Sequence, residues 1–343
     1  MRYVAALAAL ALTLAACGGD DSRPETLRLL THESFAVSDE VFATFAEETG
    51  IEVEVIRGGD AGSMVTQAAL TAGNPVADVI YGVDTTFLSR ALDADLFVPH
   101  EADGIEDVDP ALLGSEDDLV TPVNFGDVCL NYDIAAFGGS PPDDLLDLVD
   151  PVHRGKLVVQ SPATSSPGLS FLLATIATFG EEGDYTWQDY WADLRTNDVQ
   201  VTAGWEEAYF GAFTVGGGGE RPIVVSYASS PPVEVIFADP PIDTAPTAVV
   251  EAGCFRQVEY AGVLRGGPHE DAAGLLVDFM LSPTFQADVP LSMFVFPAVT
   301  DTPLPPEFVA HAVVPASPLT VDPALIEANR ETWIETWTSI VLR

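Results

Sequence analysis

Four short stretches hold side chains whose types could recognise a ligand. Asp60 sits in residues 58–63, where glycines let the backbone approach a ligand closely and the carboxylate supplies a formal negative charge. Thr164, Ser165 and Ser166 stand directly before Pro167. Proline fits the first turn of a helix because no N–H is needed there, so the serines mark a helix start. Free N–H groups and hydroxyls at such a start attract a phosphate or hydroxyl oxygen, and the same serines read equally as helix caps. Trp205 follows Gly204 at a turn into a helix, and Tyr227 ends an apolar strand. An aromatic face beside a cation contributes about 0.5–2 kcal/mol, depending on how dry the site is. Each ring taken singly also reads as packing. Together, a carboxylate, two aromatic rings and helix-start donors describe a cleft for a flat organic cation with a polar tail.

These stretches fall where strands give way to helices. Residues 27–30 read as an apolar strand. Ser38 then precedes Asp39, Glu40 and an apolar face of Val41, Phe42 and Phe45, with Gly50 ending the helix. A strand over 51–55, a helix over 63–72 and a strand over 77–81 follow. The theme repeats as a strand over 156–160, a helix from 167 to about 179, and a helix whose Tyr185, Trp187, Tyr190 and Trp191 read as core. A strand over 222–227 comes next, then helices over 271–280 and 322–341, the last with Trp333 and Trp337 one turn apart and packed.

Alternating strands and helices predict open, mostly parallel α/β sheets. In such sheets ligands bind past the carboxyl ends of the strands. Two strands, 128–132 and 255–263, stand where one α/β set gives way to another, and predict paired crossings between two lobes. The expected division is 27–127 with about 257–295 in one lobe, and 128–256 with about 296–343 in the other.

Composition narrows the function. With 48% hydrophobic and 9% aromatic residues, the body folds rather than stays disordered. Fifty-three acidic residues face 13 basic ones, Lys156 being the only lysine, for a net charge of −40. That surface repels nucleic acid and attracts cations, while solubility or salt tolerance accounts for it as well. The histidines are scattered and no CxxC or HExxH spacing occurs, so no metal site is expected. GxSxG, SxxK and Walker-type loops are also missing, which argues against an enzyme.

Arg2, an apolar run over 3–14 and small residues at 15–16 predict a secretory leader over 1–16. Leu14-Ala15-Ala16-Cys17 resembles a bacterial lipobox, which implies a lipid anchor on Cys17 and a polar tether over 17–26. The body is then expected at the outer face of the cell membrane or in the periplasm. Cys129 and Cys254 remain, in an oxidising compartment, and a disulfide between them is one of two open readings.

Six segments in order carry a more specific resemblance: Thr31-His32-Glu33-Ser34-Phe35-Ala36, Gly59-Asp60, Thr164-Ser165-Ser166-Pro167-Gly168-Leu169, Gly204-Trp205-Glu206-Glu207-Ala208-Tyr209, Ser226-Tyr227-Ala228-Ser229-Ser230-Pro231 and Phe294-Val295-Phe296-Pro297. The chain is similar to bacterial thiamine-binding substrate-binding proteins of ABC importers, of the type II periplasmic-binding-protein family, over nearly its whole mature length. The resemblance implies a monomer with two lobes that close over thiamine or its phosphates, no further cofactor, and a membrane permease as partner. It places Asp60 at the ligand's cationic part, Ser165 and Ser166 at its hydroxyl or phosphate end, and Trp205 and Tyr227 against its rings. Ala228, Ser229 and Ser230 line the same wall, and Phe294 stacks.

Two departures stand out. His32, which the resemblance also places among the ligand contacts, replaces a tyrosine of the family pattern, and Met293-Phe294 replace an asparagine-tryptophan pair. The competing readings are a receptor for a polyamine or ferric iron, the latter disfavoured by a single tyrosine in Ser226-Tyr227-Ala228, and a thiamine-degrading enzyme that uses a cysteine nucleophile.

Overall fold

The computed structural model describes residues 24–114 and 118–343. The expected leader and Cys17 lie outside the described residues, as does most of the expected tether, which ends where the first strand begins at Thr26. Among the described residues no helix is long and apolar enough to cross a membrane.

Among the described residues ten strands build one hydrogen-bonded sheet: β1 (Thr26–Thr31), β2 (Glu52–Arg57), β3 (Val79–Asp84), β4 (Phe97–Val98), β5 (Thr121–Asp133), β6 (Leu157–Gln160), β7 (Gln200–Thr202), β8 (Ile223–Tyr227), β9 (Thr247–Leu264) and β10 (Phe296–Pro297). The order is β2-β1-β3-β9-β5-β8-β6-β7, with β4 beside β9 and β10 beside β5. Parallel pairing joins β2, β1 and β3 at one end and β8, β6 and β7 at the other. Each parallel set is the sheet of one lobe, as the alternation of strands and helices predicts.

The crossing strands are β5 and β9, paired antiparallel from Thr121↔Ala261 to Asp133↔Thr247. They extend well past 128–132 and 255–263, because residues 121–127 and 247–250 continue the ladder. One half of β9 pairs with β3 of the first lobe, and the far half of β5 pairs with β8 of the second. Register slips where Val128 faces Phe255 but Leu130 faces Val250, and Cys129 and Cys254 form a disulfide at that slip.

Local sequence explains the flanking helices. Asp39 and Glu40 complement the positive end of the helix Asp39–Thr49, and Gly50 ends it at φ 76°. Ser38 holds the cap position without a side-chain cap bond; its N–H donates to Asp288 instead. The helix Ala61–Leu70 begins two residues before the predicted start because the Asp60 carboxylate accepts the Ala61 N–H. The helix Pro283–Ser292 has no counterpart in the sequence reading, since Pro290 interrupts its pattern.

The last helix, Pro323–Val341, sets Trp337 edge-on against Trp191 of the second lobe, with centroids 5.4 Å apart. Both indoles are buried, so replacing either by alanine costs about 3–5 kcal/mol. Nearer its start, Arg330 donates to the Thr86 carbonyl and the Ser89 hydroxyl of the first lobe.

Candidate functional site

A cleft lies between the two parallel sheets, beside the crossing strands. His32, Asp60, Ser166, Trp205, Tyr227, Ser230 and Phe294 line it, as do Ser34, Glu206, Phe210, Glu259, Met293 and Val295. Seven of the ten residues expected to touch a ligand therefore share one cavity. They come from both lobes, because strand ends carry loops toward the same face.

Asp60 is the most heavily bonded of them. Its Oδ1 accepts the Ala61 N–H at 2.6 Å and the Ser166 N–H at 3.3 Å, and its Oδ2 accepts the Trp205 N–H at 2.9 Å. Ala61 belongs to the first lobe, whereas Ser166 and Trp205 belong to the second, so one carboxylate ties the lobes together. Nearby, the Ser63 N–H donates to the Thr164 carbonyl at 3.2 Å, also across the gap. Glycine at 62 makes that approach possible: a Cβ there would lie 2.9 Å from the Thr164 carbonyl oxygen. Burial pushes the Asp60 carboxyl above its ordinary value, offset in part by the Trp205 N–H, the His32 charge and the Ala61 N–H.

The aromatic walls are held from behind. Trp205 stacks on Tyr209, with centroids 5.0 Å apart at 22°, and its Nε1–H donates to the Ser226 hydroxyl at 2.8 Å. Ser226 in turn shares a 2.8 Å hydrogen bond with Ser230. Tyr227 receives the Gln257 side-chain N–H on its hydroxyl at 3.1 Å. Phe294 adopts φ 56°, a left-handed conformation that a bulky residue rarely occupies and that is found at ligand clamps. Its ring meets Phe237 of the second lobe edge-on at 5.7 Å. The Met293 sulfur lies 3.3 Å from the Tyr81 hydroxyl.

Three expected ligand contacts do not line the cleft. Ala228 is fully buried against Cys129 and Cys254, because neighbours on a strand point to opposite faces and Tyr227 takes the cleft side. Ser229 is fully buried as well. Ser165 is fully buried at the cap of the helix Ser166–Phe179, one residue behind Ser166, which does face the cavity. The Cys129–Cys254 bond takes both thiols, so neither is a free nucleophile.

One buried acid of the cleft escaped the sequence reading. Glu259, on the crossing strand β9, lines the cleft at 7% exposure. Its carboxylate accepts the Tyr81 O–H at 3.1 Å and lies 3.5 Å from His32 Nε2. Burial alone would raise its pKa, but His32 and the hydrogen bonds of Asn124 and Tyr81 outweigh burial and hold it below the usual value. The reverse balance acts on His32: burial lowers it, and Glu259, Asp60 and Glu33 raise it further than burial lowers it. The signal in the sequence was a lone acid in the run Phe255-Arg256-Gln257-Val258-Glu259-Tyr260. Asp84 lies nearby at the end of β3, where burial pushes its carboxyl up to about 6.

Two α/β lobes joined by crossing strands, with a ligand-sized cleft at the join, define a periplasmic-binding-protein fold. A profile of the bacterial extracellular solute-binding protein family matches residues 74–327, and the chain belongs to that family. It is 30% identical over 326 residues to the "Thiamine-binding periplasmic protein" of Brucella suis biovar 1 (strain 1330), covering 93% of each chain. The protein of the same name from Salmonella typhimurium (strain LT2) is 30% identical over 335 residues, with 95% of this chain and 97% of that one covered. Among solved structures, a "Periplasmic thiamin binding protein" superposes with a TM-score of 0.82 at 28% identity, covering 93% of this chain and 96% of the other.

Proposed function

We propose that this protein captures thiamine, or one of its phosphates, outside the cytoplasmic membrane and delivers it unchanged to an ABC permease. Cys17 carries a lipid that keeps the receptor at the membrane, and the protein works as a monomer. The observation that carries the reading is the content of one cleft: three carboxylates, Asp60, Glu206 and Glu259, against one histidine, with Trp205, Tyr227 and Phe294 as walls. A flat organic cation is the ligand such a surface suits. Ser166 and Ser230 meet its hydroxyl or phosphate end. Closure excludes water, which strengthens the attraction between a carboxylate and the ring cation. The similarity to proteins named for thiamine binding points to the same ligand.

The test is a calorimetric series with thiamine, its mono- and diphosphate, spermidine and ferric iron, with mass spectrometry of the recovered ligand. Saturable binding of a thiamine form, recovered intact and not displaced by spermidine or iron, supports the proposal. Tighter binding of spermidine or iron, or breakdown of thiamine, overturns it.

A further inference from the structure

Two carboxylates face this cleft, Glu259 buried and Asp60 half-buried, and the hydrogen bonds around them differ in kind. Asp60 accepts three backbone N–H groups, from Ala61, Ser166 and Trp205. A carboxylate offers roughly four acceptor positions, so little of its capacity is left for a ligand. It also stands at the starts of two helices, Ala61–Leu70 and Ser166–Phe179, whose positive ends already answer its charge. Two of its three donors belong to the opposite lobe, so those bonds exist only while the cleft is shut.

Glu259 is placed differently. It rises from β9, the strand common to both lobes, and therefore holds its position whether the cleft is open or shut. Its partners are side chains: the Tyr81 hydroxyl at 3.1 Å, the Gln257 amide at 3.5 Å and His32 at 3.5 Å. Tyr81 is itself fixed by the Asn124 amide, which donates to its hydroxyl. The carboxylate is thus oriented in advance, nearly dry, and faces the cavity.

We propose that Glu259 is the ligand's counter-charge and sets the preference for a cation over a neutral molecule of the same shape, while Asp60 joins the lobes. This assignment rests on the thiamine reading and names the group that selects within it. The ring cation lies beside Glu259, between the walls made by Trp205 and Tyr227. Asp60 acts on every ligand alike, because it stabilises the shut state rather than any one occupant.

The experiment measures affinities for two probes, thiamine and an analogue in which a neutral aromatic ring replaces the thiazolium. The parent protein prefers thiamine by about 30-fold, the scale of a buried charged contact. In Glu259→Gln that preference falls below about threefold, through loss of thiamine affinity alone. Asp60→Asn weakens both probes by about 10-fold and keeps the preference, because an amide nitrogen then faces an N–H donor. A parent-like preference in Glu259→Gln, or loss of preference in Asp60→Asn, overturns the assignment. Should Glu259→Gln fail to fold, a crystal structure of the parent with thiamine decides: the thiazolium beside Glu259 supports the proposal, and the thiazolium beside Asp60 overturns it. A parent that binds neither probe overturns the thiamine reading and this assignment together; a parent that binds both equally overturns the assignment alone.

Discussion

The shut cleft packs Gly204 against the opposite lobe, which makes Gly204→Ala a test of whether the shut state governs affinity. A Cβ at 204 would lie 2.7 Å from Glu33 Oε1, 3.0 Å from Asp60 Oδ2 and 3.3 Å from Asp60 Cβ, all on the opposite lobe. Glu33 ends a flexible side chain and can swing aside. Asp60 cannot, because its carboxylate is pinned by Ala61, Ser166 and Trp205. The lobes must therefore part by a few tenths of an ångström, or the Trp205 N–H must leave Asp60. Overpacking of this kind costs about 1–3 kcal/mol. Gly204 does not have a positive φ, so the methyl adds no left-handed backbone strain and the cost falls on the shut state. A ligand that needs closure then binds about 5–150-fold more weakly. Isothermal titration with thiamine reads the affinity, and a thermal melt without ligand reports folding. Weaker binding with a melting temperature within a few degrees of the parent is the expected pair of results. Parent-like affinity would show that this contact does not form in the bound state, and would refute the reasoning.

His32, Glu259, Asp60 and Glu33 make thiamine binding depend on pH. His32 favours its charged form in the free cleft, beside Glu259 at 3.5 Å and near the charges of Asp60 and Glu33. An incoming cation opposes that charge, so binding expels the proton; affinity rises with pH through the raised His32 value and then levels. His32→Asn flattens the profile, and a profile equally steep in that variant would count against the coupling. Asp84 makes a separate prediction about stability. Its carboxyl titrates at 3.8 ordinarily and at about 6 when buried, so its stabilising contribution is complete below the lower value and lost as pH rises through the upper one. At pH 7 the buried charge costs on the order of 3 kcal/mol, so Asp84→Asn should stabilise the fold more at pH 7 than at pH 5 in urea unfolding. A gain that does not change with pH would be the contrary result. The disulfide closes a separation of 125 residues across the crossing strands, and Cys129→Ser with Cys254→Ser should lower unfolding free energy by about 2–5 kcal/mol. An unchanged urea midpoint would contradict that.

What could be read from the chain was whatever local rules encode. The crossing strands showed because apolar runs at 128–132 and 255–263 interrupt the alternation of strands and helices, and the four loops showed because glycines, prolines and serines punctuate strand ends. Asp60, Trp205 and Tyr227 could be chosen by chemistry alone. The remainder depended on register and on contacts between distant segments. Glu259 was hidden because both faces of β9 are buried around it, so Val258 and Tyr260 give no alternation to show which side it takes. Ala228 and Ser229 were placed on the wall by the resemblance, and only the packing beyond β8 reveals that Ala228 turns to the disulfide. The hydrogen-bond partners of Asp60 were hidden for the same reason. Its charge was evident, but its bonds to Ser166 and Trp205 span about 100 residues or more of sequence.

The central claim is that a thiamine-type cation sits against Trp205 inside this cleft. Trp187, Trp191, Trp333 and Trp337 are buried in the cores, which leaves Trp205 as the indole that a bound ring can touch. Titrating the protein with thiamine while following tryptophan fluorescence tests this directly. The account predicts a saturable change at one thiamine per chain, and a loss of affinity of about 5–150-fold in Trp205→Ala, the worth of one stacked ring. Fluorescence that ignores thiamine, or a Trp205→Ala protein that binds it as tightly as the parent, would contradict the account.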